Sequence, residues 1–337
     1  LLSLRMKSLE KDELCFPHFL NSSCRKALHP HFASMLTYML LSSISLLTVT
    51  LNLLVIISIY HFKQLHTPTN LLLLSLAVSD FFVGLLMVFQ IVLIDGCWFL
   101  GDLMCIFYTF LDFIITSASV GTMVLISVDR YVAICEPLHY FNKVTQKRVK
   151  ICVCLCWTWS AILHSVLFKD NLEEAGRYNS CIGECVIVIN YIAGRANLFL
   201  TFIGPVTVII VLYMRVFVVA VTQARAMRSH VAALPLKIAM TKTAKKSEMK
   251  AARTVGVIVV VFLVCLCPYY CVSLSEQDTL LSASSATIVV RVFYFNSCLN
   301  PLIYAFFYPW FRKSMKLIVT LKILQPGSWR RVSLHLK

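Results

Sequence analysis

Two aspartates stand inside long apolar runs, where an ionisable side chain is costly. Asp80 lies within LLLLSLAVSDFFVGLL, and Asp112 lies in a later run, two helical turns above Ser119 on the same face. A charge at membrane depth needs a cation, a proton or an ionic partner, so both aspartates are candidate binding residues. Hydrogen bonding between helices is the alternative role for such groups, and it is the favoured interpretation of Asn52.

Two further groups of polar residues interrupt apolar sequence. The stretch NSCLNPLIYAFFYPWF, Asn296 to Phe311, adds Asn296, Ser297 and Asn300 to the polar set at membrane depth. The triplet Asp129-Arg130-Tyr131 ends an apolar run and precedes a basic loop. The triplet alone has little specificity, but together with the NSCLNPLIY stretch it becomes informative.

The elements that must hold these residues are membrane helices. The chain of 337 residues is 59% hydrophobic and only 14% charged, whereas soluble domains are about half apolar with about a quarter charged. A membrane-spanning helix needs roughly 20 predominantly apolar residues. Seven windows of that kind occur, at about 34–60, 69–94, 103–134, 150–168, 190–221, 254–275 and 282–307. The last is the weakest, so six spans remain the alternative.

The net charge of +15 does not indicate a nucleic-acid partner, because the basic residues cluster in alternate loops. The largest cluster lies between residues 223 and 253, while the intervening loops are acidic. By the positive-inside rule this pattern predicts an outside N-terminus and a cytoplasmic C-terminus, which requires an odd number of spans. Residues 1–33 lack the apolar core of a cleavable signal peptide. They contain a glycosylation sequon at Asn21.

The chain resembles the rhodopsin-class G-protein-coupled receptors over about residues 34–320. The matching pieces include LAVSD ending at Asp80, DRYVAI at 129–134, CLCPYY at 265–270 and NPLIY at 300–304. The seventh-span segment, GCWFLG around Trp98 and the CIGEC loop at 181–185 further resemble the trace amine-associated receptors. The cysteine-rich fourth span and TSASVG after Asp112 are similar to the fish members.

The resemblance implies an all-α membrane protein, a rhodopsin-like bundle of seven transmembrane helices with a short amphipathic eighth helix. Residues 1–33 would be extracellular, 34–308 would form the bundle, and 309–337 would hold the amphipathic helix and cytoplasmic tail. It also implies a cell-surface, multi-pass receptor, not an enzyme, that contacts membrane lipid, a small amine and a heterotrimeric G protein. Olfactory neurons, volatile monoamines and a stimulatory G protein are further implications of the family.

The implied ligand site centres on Asp112 as the counter-ion of a protonated amine. Tyr294 would hydrogen-bond this carboxylate and keep it ionised. Some relatives bind diamines through a second acid in the fifth span; Asn197 takes that place here and favours a monoamine, and Arg195 would repel a second ammonium. The remaining expected ligand contacts are Phe113, Tyr269 and Tyr270 as aromatic walls and Thr116 and Thr201 as neutral polar groups.

The implied switch joins the third, sixth and seventh helices. Pro301 lacks a backbone N–H and disturbs the helical ladder one turn back, so Asn300, Pro301 and Tyr304 would let the seventh helix adopt two packings. In the resting state Asp129 and Glu248 would hold Arg130, next to Tyr131. Glu248 could instead pair with a basic neighbour on its own helix.

A sodium ion and two disulfides complete the expectations from the family. No cofactor is expected apart from an allosteric sodium ion, held by Asp80, Ser119, Asn296, Ser297 and Asn300, and a protonated Asp80 without an ion is the alternative. The disulfides would join Cys105 to Cys185 and Cys24 to Cys181. Cys15 and Cys97 are left over, and the sequence does not decide whether they pair.

Two departures from the family pattern leave alternatives open. Leu266 replaces the usual tryptophan of the sixth span, and Arg291 lies in the outer half of the seventh, where it either reaches the interface or pairs with Asp112. A receptor of the same fold without an amine ligand therefore remains the first alternative. A transporter or channel is disfavoured because no inverted repeat appears. An opsin would need a lysine in the seventh span, and residues 280–307 contain none.

Overall fold

The structure is a computed structural model that describes residues 13–26, 31–229, 237–274 and 283–321. Eight helices, labelled α1 to α8, follow the expected order of a helical membrane bundle. Their bounds are His31–His61, Pro68–Val92, Asp102–Cys135, Gln146–Leu167, Tyr191–Ser229, Lys237–Leu274, Ala283–Phe307 and Pro309–Val319. Short helices at Tyr140–Lys143 and Lys169–Glu173 lie in the connections.

Six of the described helices, α1 to α6, contain segments long and apolar enough to cross a membrane. Helix α7 has 25 residues, which at the usual rise span about 37 Å, more than the roughly 30 Å of a bilayer core. Seven helices of spanning length are therefore present. The alternative of six spans is disfavoured, because the polar groups of α7 shorten its apolar stretch without ending the helix.

Polar caps fix where several helices begin. Thr67 accepts a hydrogen bond from the backbone N–H of Asn70 at 3.2 Å, and Pro68 takes the first helical position of α2. Asn190 accepts one from the N–H of Ile192 at 3.0 Å at the start of α5. Such caps satisfy backbone donors that have no partner within the helix.

Helix α5 is interrupted by a π-helical turn at Phe199–Ile203. Pro205 follows closely, and it cannot donate the backbone hydrogen bond that a regular helix requires. The wider turn accommodates this missing bond and brings Thr201 to a buried position. Helix α5 is thereby reshaped at the level where it lines the central cavity.

Helix α3 is the centre of the bundle, packing against α2, α4, α5 and α6. One apolar core fills the inner half, and a second core fills the outer half around Met87, Trp98 and Tyr294. On the outward faces large apolar side chains such as Leu155 and Trp159 remain exposed. An exposed apolar belt of this kind is what a lipid-facing bundle requires.

Three disulfides hold a compact cap over the outer end of the bundle. The structure contains the two bridges that the resemblance implied, Cys105–Cys185 and Cys24–Cys181. It adds a third, Cys15–Cys97, so the expected number of two was too small. The sequence could not decide this pair because its members are 82 positions apart, and only folding of the N-terminal segment brings them together.

Residues 13–26 form a small hairpin that lies on the loop following α4. The backbone N–H of Cys24 donates to the carbonyl of Ile182 at 3.0 Å, and the N–H of Trp98 donates to the carbonyl of Gly183 at 2.8 Å. Gly183 has a φ of +101°, and a side chain there would lie only 3.0 Å from the ring of Phe16. The close approach of the hairpin to the loop therefore requires a glycine.

Helix α6 begins at Lys237, well before the apolar window predicted from about residue 254. The difference arises because hydropathy marks only the part of a helix that lipid surrounds, whereas the helix continues as a polar segment beyond it. Helix α8 has one face buried, with Trp310 and Phe311 in the core. The two lysines beside them, Lys313 and Lys316, give the helix the amphipathic pattern of an interfacial helix.

Candidate ligand-binding site

A cavity of about 630 Å³ opens toward the outer end of the bundle. It lies between α3, α5, α6 and α7, with further walls from α2, α4 and the outer loop after α4. All of the ligand contacts expected from the sequence line it: Asp112, Phe113, Thr116, Asn197, Thr201, Tyr269, Tyr270 and Tyr294. The fold thus brings four separate helices to one site.

Asp112 is the sole acid among the described residues that line this cavity. The hydroxyl of Tyr294 donates a long hydrogen bond of 3.4 Å to its Oδ1. Within the described residues, no basic side chain forms an ion pair with it inside 4 Å. A half-buried carboxylate without a cation is arranged to take one from a ligand.

Gln90 orients the tyrosines beside Asp112, a contact that the sequence did not reveal. Its side-chain amide donates to the hydroxyl of Tyr294 at 3.1 Å and also to the hydroxyl of Tyr108. Because the amide fills the acceptor side of Tyr294, the phenolic proton is free to point at Asp112. The sequence shows Gln90 only as a polar residue near the outer end of the second span, and this gives no indication of its partners.

Aromatic rings form the wall contributed by α6 and α7. The ring of Tyr270 stacks on Phe202 with centroids 3.7 Å apart, and Tyr269 lies 4.8 Å from Phe293. Rings fixed by such contacts present their faces and edges to a ligand without further ordering. A cation over such a face gains about 0.5–2 kcal/mol.

The side of the cavity between α3, α4 and α5 carries neutral polar groups. The hydroxyl of Thr201 donates to the backbone carbonyl of Asn197 at 2.8 Å, so it is engaged within its own helix. The Oδ1 of Asn197 is buried, and no described residue donates to it. The Asn197 side chain also lies within reach of His164 on the same wall.

His164 is a second cavity residue that the sequence analysis missed. It is buried, its Nδ1 lies 2.7 Å from the carbonyl of Ser160, and its ring contacts Phe113 edge-on with centroids 5.6 Å apart. Since a carbonyl only accepts, Nδ1 carries the proton in this bond and Nε2 of the neutral ring is an acceptor. A lone histidine in an apolar span gave no pattern by which to find it.

Arg291 does not neutralise Asp112. Its guanidinium turns toward α1, where Nη2 donates to the hydroxyl of Thr37 at 2.6 Å. The sequence left open whether this arginine would pair with Asp112. The contact with α1 removes the main objection to cation binding at Asp112.

A second polar cluster lies deeper, around Asp80. Its Oδ2 accepts a hydrogen bond of 2.8 Å from the side-chain amide of Asn300, and Ser297 lies beside the same carboxyl. Asn52 ties α1 to this level by donating to the backbone carbonyl of Ser297 at 3.0 Å. Ser119 and Asn296, the other residues expected here, are also buried.

Several oxygens of this cluster are buried and accept no hydrogen bond from any described residue. They belong to four side chains: Asp80 Oδ1, Asn52 Oδ1, Asn296 Oδ1 and Asn300 Oδ1. Buried acceptors of this kind require water or a cation. A hard monovalent cation fits a set of carboxylate and amide oxygens.

Arg130 and Asp129 form a buried ion pair at the inner end of α3. The same carboxylate accepts hydrogen bonds from the hydroxyl of Thr69 at 2.9 Å and from the hydroxyl of Tyr140 at 2.9 Å. Thr69 and Tyr140 were not foreseen, because they come from α2 and from the connection after α3. With these donors in place, Arg130 is held against its own helix.

Of the other switch residues, Tyr304 is fully buried, and its hydroxyl finds no partner within the described part of the chain. Pro301 lies inside α7 without ending it. Tyr131 packs with Ile134 and Val216 between α3 and α5. Glu248 belongs to the polar start of α6, and its side chain lies outside the described residues.

Asn21, the predicted glycosylation residue, lies at an exposed position of the outer cap. The cap also holds a cavity of its own, of about 460 Å³. Asp102 and Glu184 line this cavity together with aromatic rings. Ser180 donates to Glu184 from its hydroxyl and its backbone N–H, and these bonds hold the pKa of Glu184 below its usual value. Glu184 is therefore ionised near neutral pH and places a negative charge on the wall of this outer cavity.

Comparison with known proteins shows the family of the chain. The family described as 7 transmembrane receptor (rhodopsin family) matches residues 51–304. The chain is 37% identical to trace amine-associated receptor 13c of Danio rerio, and the match covers 97% of this chain and 98% of that one. It is 38% identical to trace amine-associated receptors 8b and 9 of Rattus norvegicus, each match covering 94% of this chain and 95% or more of the relative.

Proposed function

The chain belongs to the rhodopsin family of seven-transmembrane receptors, among the trace amine-associated receptors, and we propose that it binds a small protonated monoamine at Asp112 and activates a heterotrimeric G protein. As a member of that family it is a multi-pass membrane receptor and not an enzyme. The names of its relatives refer to amines. The observation that carries the proposal is the Asp112 carboxylate in the aromatic cavity.

The charge balance of the cavity supports binding of one ammonium group. Asp112 is the one acid among its described lining residues, and Arg195 of α5 lines the same cavity as Asn197. A diamine would bring its second ammonium toward this guanidinium, and the repulsion would be strong in a cavity of low dielectric. A single aliphatic or small aromatic amine avoids that repulsion.

The proposal that Asp112 is the counter-ion is tested by Asp112→Ala. We expect this variant to lower amine potency by roughly a hundredfold or more, since removing one partner of a buried charge pair costs about 2–5 kcal/mol. The assay is cyclic AMP production in cells exposed to a panel of monoamines, with surface expression measured by an N-terminal epitope tag.

Asp102→Ala is the matched control, because Asp102 is an acid on the same helix that lies outside the central cavity. It should leave the concentration dependence close to that of the wild type. An Asp112→Ala receptor that responds at unshifted concentrations would refute the amine site. A surface-expressed wild type silent toward every amine would favour the receptor without an amine ligand.

We propose that the Asp129–Arg130 pair forms the resting state together with Glu248, and that activation frees Arg130. The support is the buried ion pair and the hydroxyl donors around it. Asn300, Pro301 and Tyr304 would then relay the change, because a proline inside α7 leaves the helix free to repack. A stimulatory G protein and a role in olfaction are part of the same proposal and rest on the family alone.

The cluster around Asp80 is proposed to hold a sodium ion in the inactive receptor. The four buried oxygens that accept no hydrogen bond from a described residue support this assignment. Sodium would balance the charge of Asp80, whereas a proton would leave the amide oxygens unsatisfied. The outward orientation of the N-terminus is proposed on two grounds, the basic inner loops and the disulfide-rich cap, which suits an oxidising compartment.

A further inference from the structure

Arg291 carries a positive charge within the membrane-spanning part of α7. It follows the first residue of the helix, Ala283, by eight residues, or about 12 Å of helix. Among the described residues, no acid forms an ion pair with it within 4 Å. Because a charge at this depth is costly without a partner, the guanidinium requires an anion.

The three nitrogens of this guanidinium differ in their surroundings. Nη2 donates to the hydroxyl of Thr37 on α1 at 2.6 Å, which fixes the group between α1 and α7. Nε is buried and has no acceptor within the described part of the chain. Nη1 likewise donates to no described residue but, unlike Nε, is not buried. One N–H edge of Arg291 is therefore open at the surface of the bundle.

The surface at which this edge opens is the lipid-facing side of α7. Phe295 and Leu302 are exposed on this helix, and they follow Arg291 by about one and three helical turns. Residues at such spacings share one face of a helix. On α1, Leu36 lies next to Thr37 in sequence and is exposed as well. The arginine thus stands at the outer end of an apolar stripe.

A phospholipid matches both parts of this surface. The edge of a guanidinium binds phosphate oxygens with parallel, charge-assisted hydrogen bonds. The 12 Å includes the part of α7 that extends beyond the hydrocarbon core, and local thinning of the bilayer brings headgroups closer to a charge at that depth. Acyl chains attached to the phosphate cover the apolar stripe, whereas a free anion from water would leave that stripe without a partner.

We propose that Arg291 and Thr37 form a binding site for the phosphate of an anionic phospholipid, in the leaflet next to the disulfide cap. The phosphate accepts hydrogen bonds from Nη1 of Arg291, and the acyl chains lie along Phe295 and Leu302. Phosphatidylglycerol binds more tightly than phosphatidylcholine, because the choline ammonium neutralises its own phosphate. Neither Arg291 nor Thr37 lines the central cavity, so this inference is independent of the proposed amine site.

The test measures lipid binding to the purified full chain in detergent by native mass spectrometry, with phosphatidylglycerol or phosphatidylcholine added. We expect Arg291→Leu to weaken the first phosphatidylglycerol about tenfold, as for the loss of one charge-assisted hydrogen-bonded contact. Arg291→Lys should recover part of the affinity, because lysine keeps the charge and loses the planar geometry.

Thermal unfolding gives a second measurement on the same variants. Without added lipid, Arg291→Leu should be at least as stable as the wild type, because it removes a charge that lacks an ionic partner. Phosphatidylglycerol should raise the stability of the wild type and leave that of Arg291→Leu unchanged.

Arg177→Leu is the matched control, since Arg177 is an exposed arginine of the outer loop after α4 that lies 3.7 Å from Glu174. It should bind phosphatidylglycerol as the wild type does. Equal binding by Arg291→Leu and the wild type would refute the site. An equal stabilisation of the wild type by glycerol 3-phosphate alone would show that Arg291 binds a free anion, and would overturn the assignment to a lipid.

Discussion

The polar side chains inside this bundle differ in how completely their hydrogen bonds are satisfied. The Asp129 carboxylate accepts bonds from Arg130, Thr69 and Tyr140. Asp112 accepts one long bond within the described part of the chain, from Tyr294. A carboxylate whose acceptor sites are all occupied by protein donors stabilises one arrangement of the helices. A carboxylate with acceptor sites left over is available to a ligand or an ion.

At the residue scale, Asn197 offers a gain-of-function prediction. Asn197→Asp puts a second carboxylate on the cavity wall, in place of an amide whose Oδ1 is buried without a donor among the described residues. We expect diamines to become at least about tenfold more potent relative to monoamines, because a charge-assisted bond replaces a repulsive environment. Dose–response curves for matched monoamine and diamine pairs measure the change, with Thr116→Ser as a control that keeps the charge of the wall.

An unchanged ratio of diamine to monoamine potency in Asn197→Asp would show that this position does not face the ligand. A wild type that prefers the diamine would likewise contradict the inference drawn from Asn197. Both results would leave Asp112 as the amine site. The prediction therefore tests specificity separately from binding.

Asp80 carries a second prediction at this scale. If sodium binds its carboxylate in the inactive state, agonist affinity should fall as sodium replaces potassium at constant ionic strength, and Asp80→Asn should abolish that dependence. Linkage requires this, since an ion that binds one state shifts the equilibrium by its differential affinity. Equal affinities in both salts for the wild type would favour a protonated Asp80.

At the element scale, the inner end of α3 depends on its neighbours. Thr69 from α2 and Tyr140 from the helix Tyr140–Lys143 both donate to Asp129. Tyr140 is partly buried by this contact, and burial raises the pKa of its phenol above the usual value. The phenol therefore stays protonated and remains a donor at physiological pH.

Glu248→Ala is expected to raise basal signalling. If Glu248 on α6 helps to hold Arg130, its loss removes about 1 kcal/mol from the resting state, which shifts the equilibrium about fivefold. Basal cyclic AMP at equal surface expression is the measurement. Glu136→Ala is the control, because the partner of Glu136 is Lys143 on the exposed surface.

An unchanged baseline in Glu248→Ala would mean that Glu248 pairs within its own helix. The polar start of α6 provides several basic neighbours for such a pair. In that case Asp129, Thr69 and Tyr140 alone would restrain Arg130.

At the scale of the whole molecule, three disulfides join the N-terminal hairpin, two of the outer loops and α3 into one cap. The chain segments that they connect are far apart in sequence, by 82, 157 and 80 positions. Cross-links over long loops restrict the unfolded chain most, each contributing about 2–4 kcal/mol. The cap thereby fixes the outer boundary of the cavity below it.

The unexpected bridge gives the prediction that belongs to this scale. Cys15→Ser and Cys97→Ser should lower thermal stability equally, and the double variant should be no less stable than either single one, because each change removes the same bond. The thermal inactivation of solubilised receptor measures this. Additive losses would show that the two cysteines do not pair, and Cys298→Ser, outside the cap, is the control.

The sequence by itself determined the elements of this protein and the identity of its central acid. Hydropathy over about 20 residues reports a lipid environment directly, so all seven spans were found, and an aspartate in such a span is costly enough to indicate a binding site. Arg291 shows the limit of that reasoning, because the sequence alone does not tell whether its guanidinium faces Asp112 or Thr37. Which way a helix is rotated, and which distant residue meets it, depends on packing between helices.

Tertiary structure decided the partners of each polar group. Gln90, His164, Thr69 and Tyr140 reach their sites from helices or connections that share no local pattern with Asp112 or Asp129. The pairing of Cys15 with Cys97 likewise needed the folded hairpin. A sequence pattern encodes the free energy of placing a residue in lipid or water, whereas hydrogen bonds and disulfides depend on distances that exist only once the helices have packed.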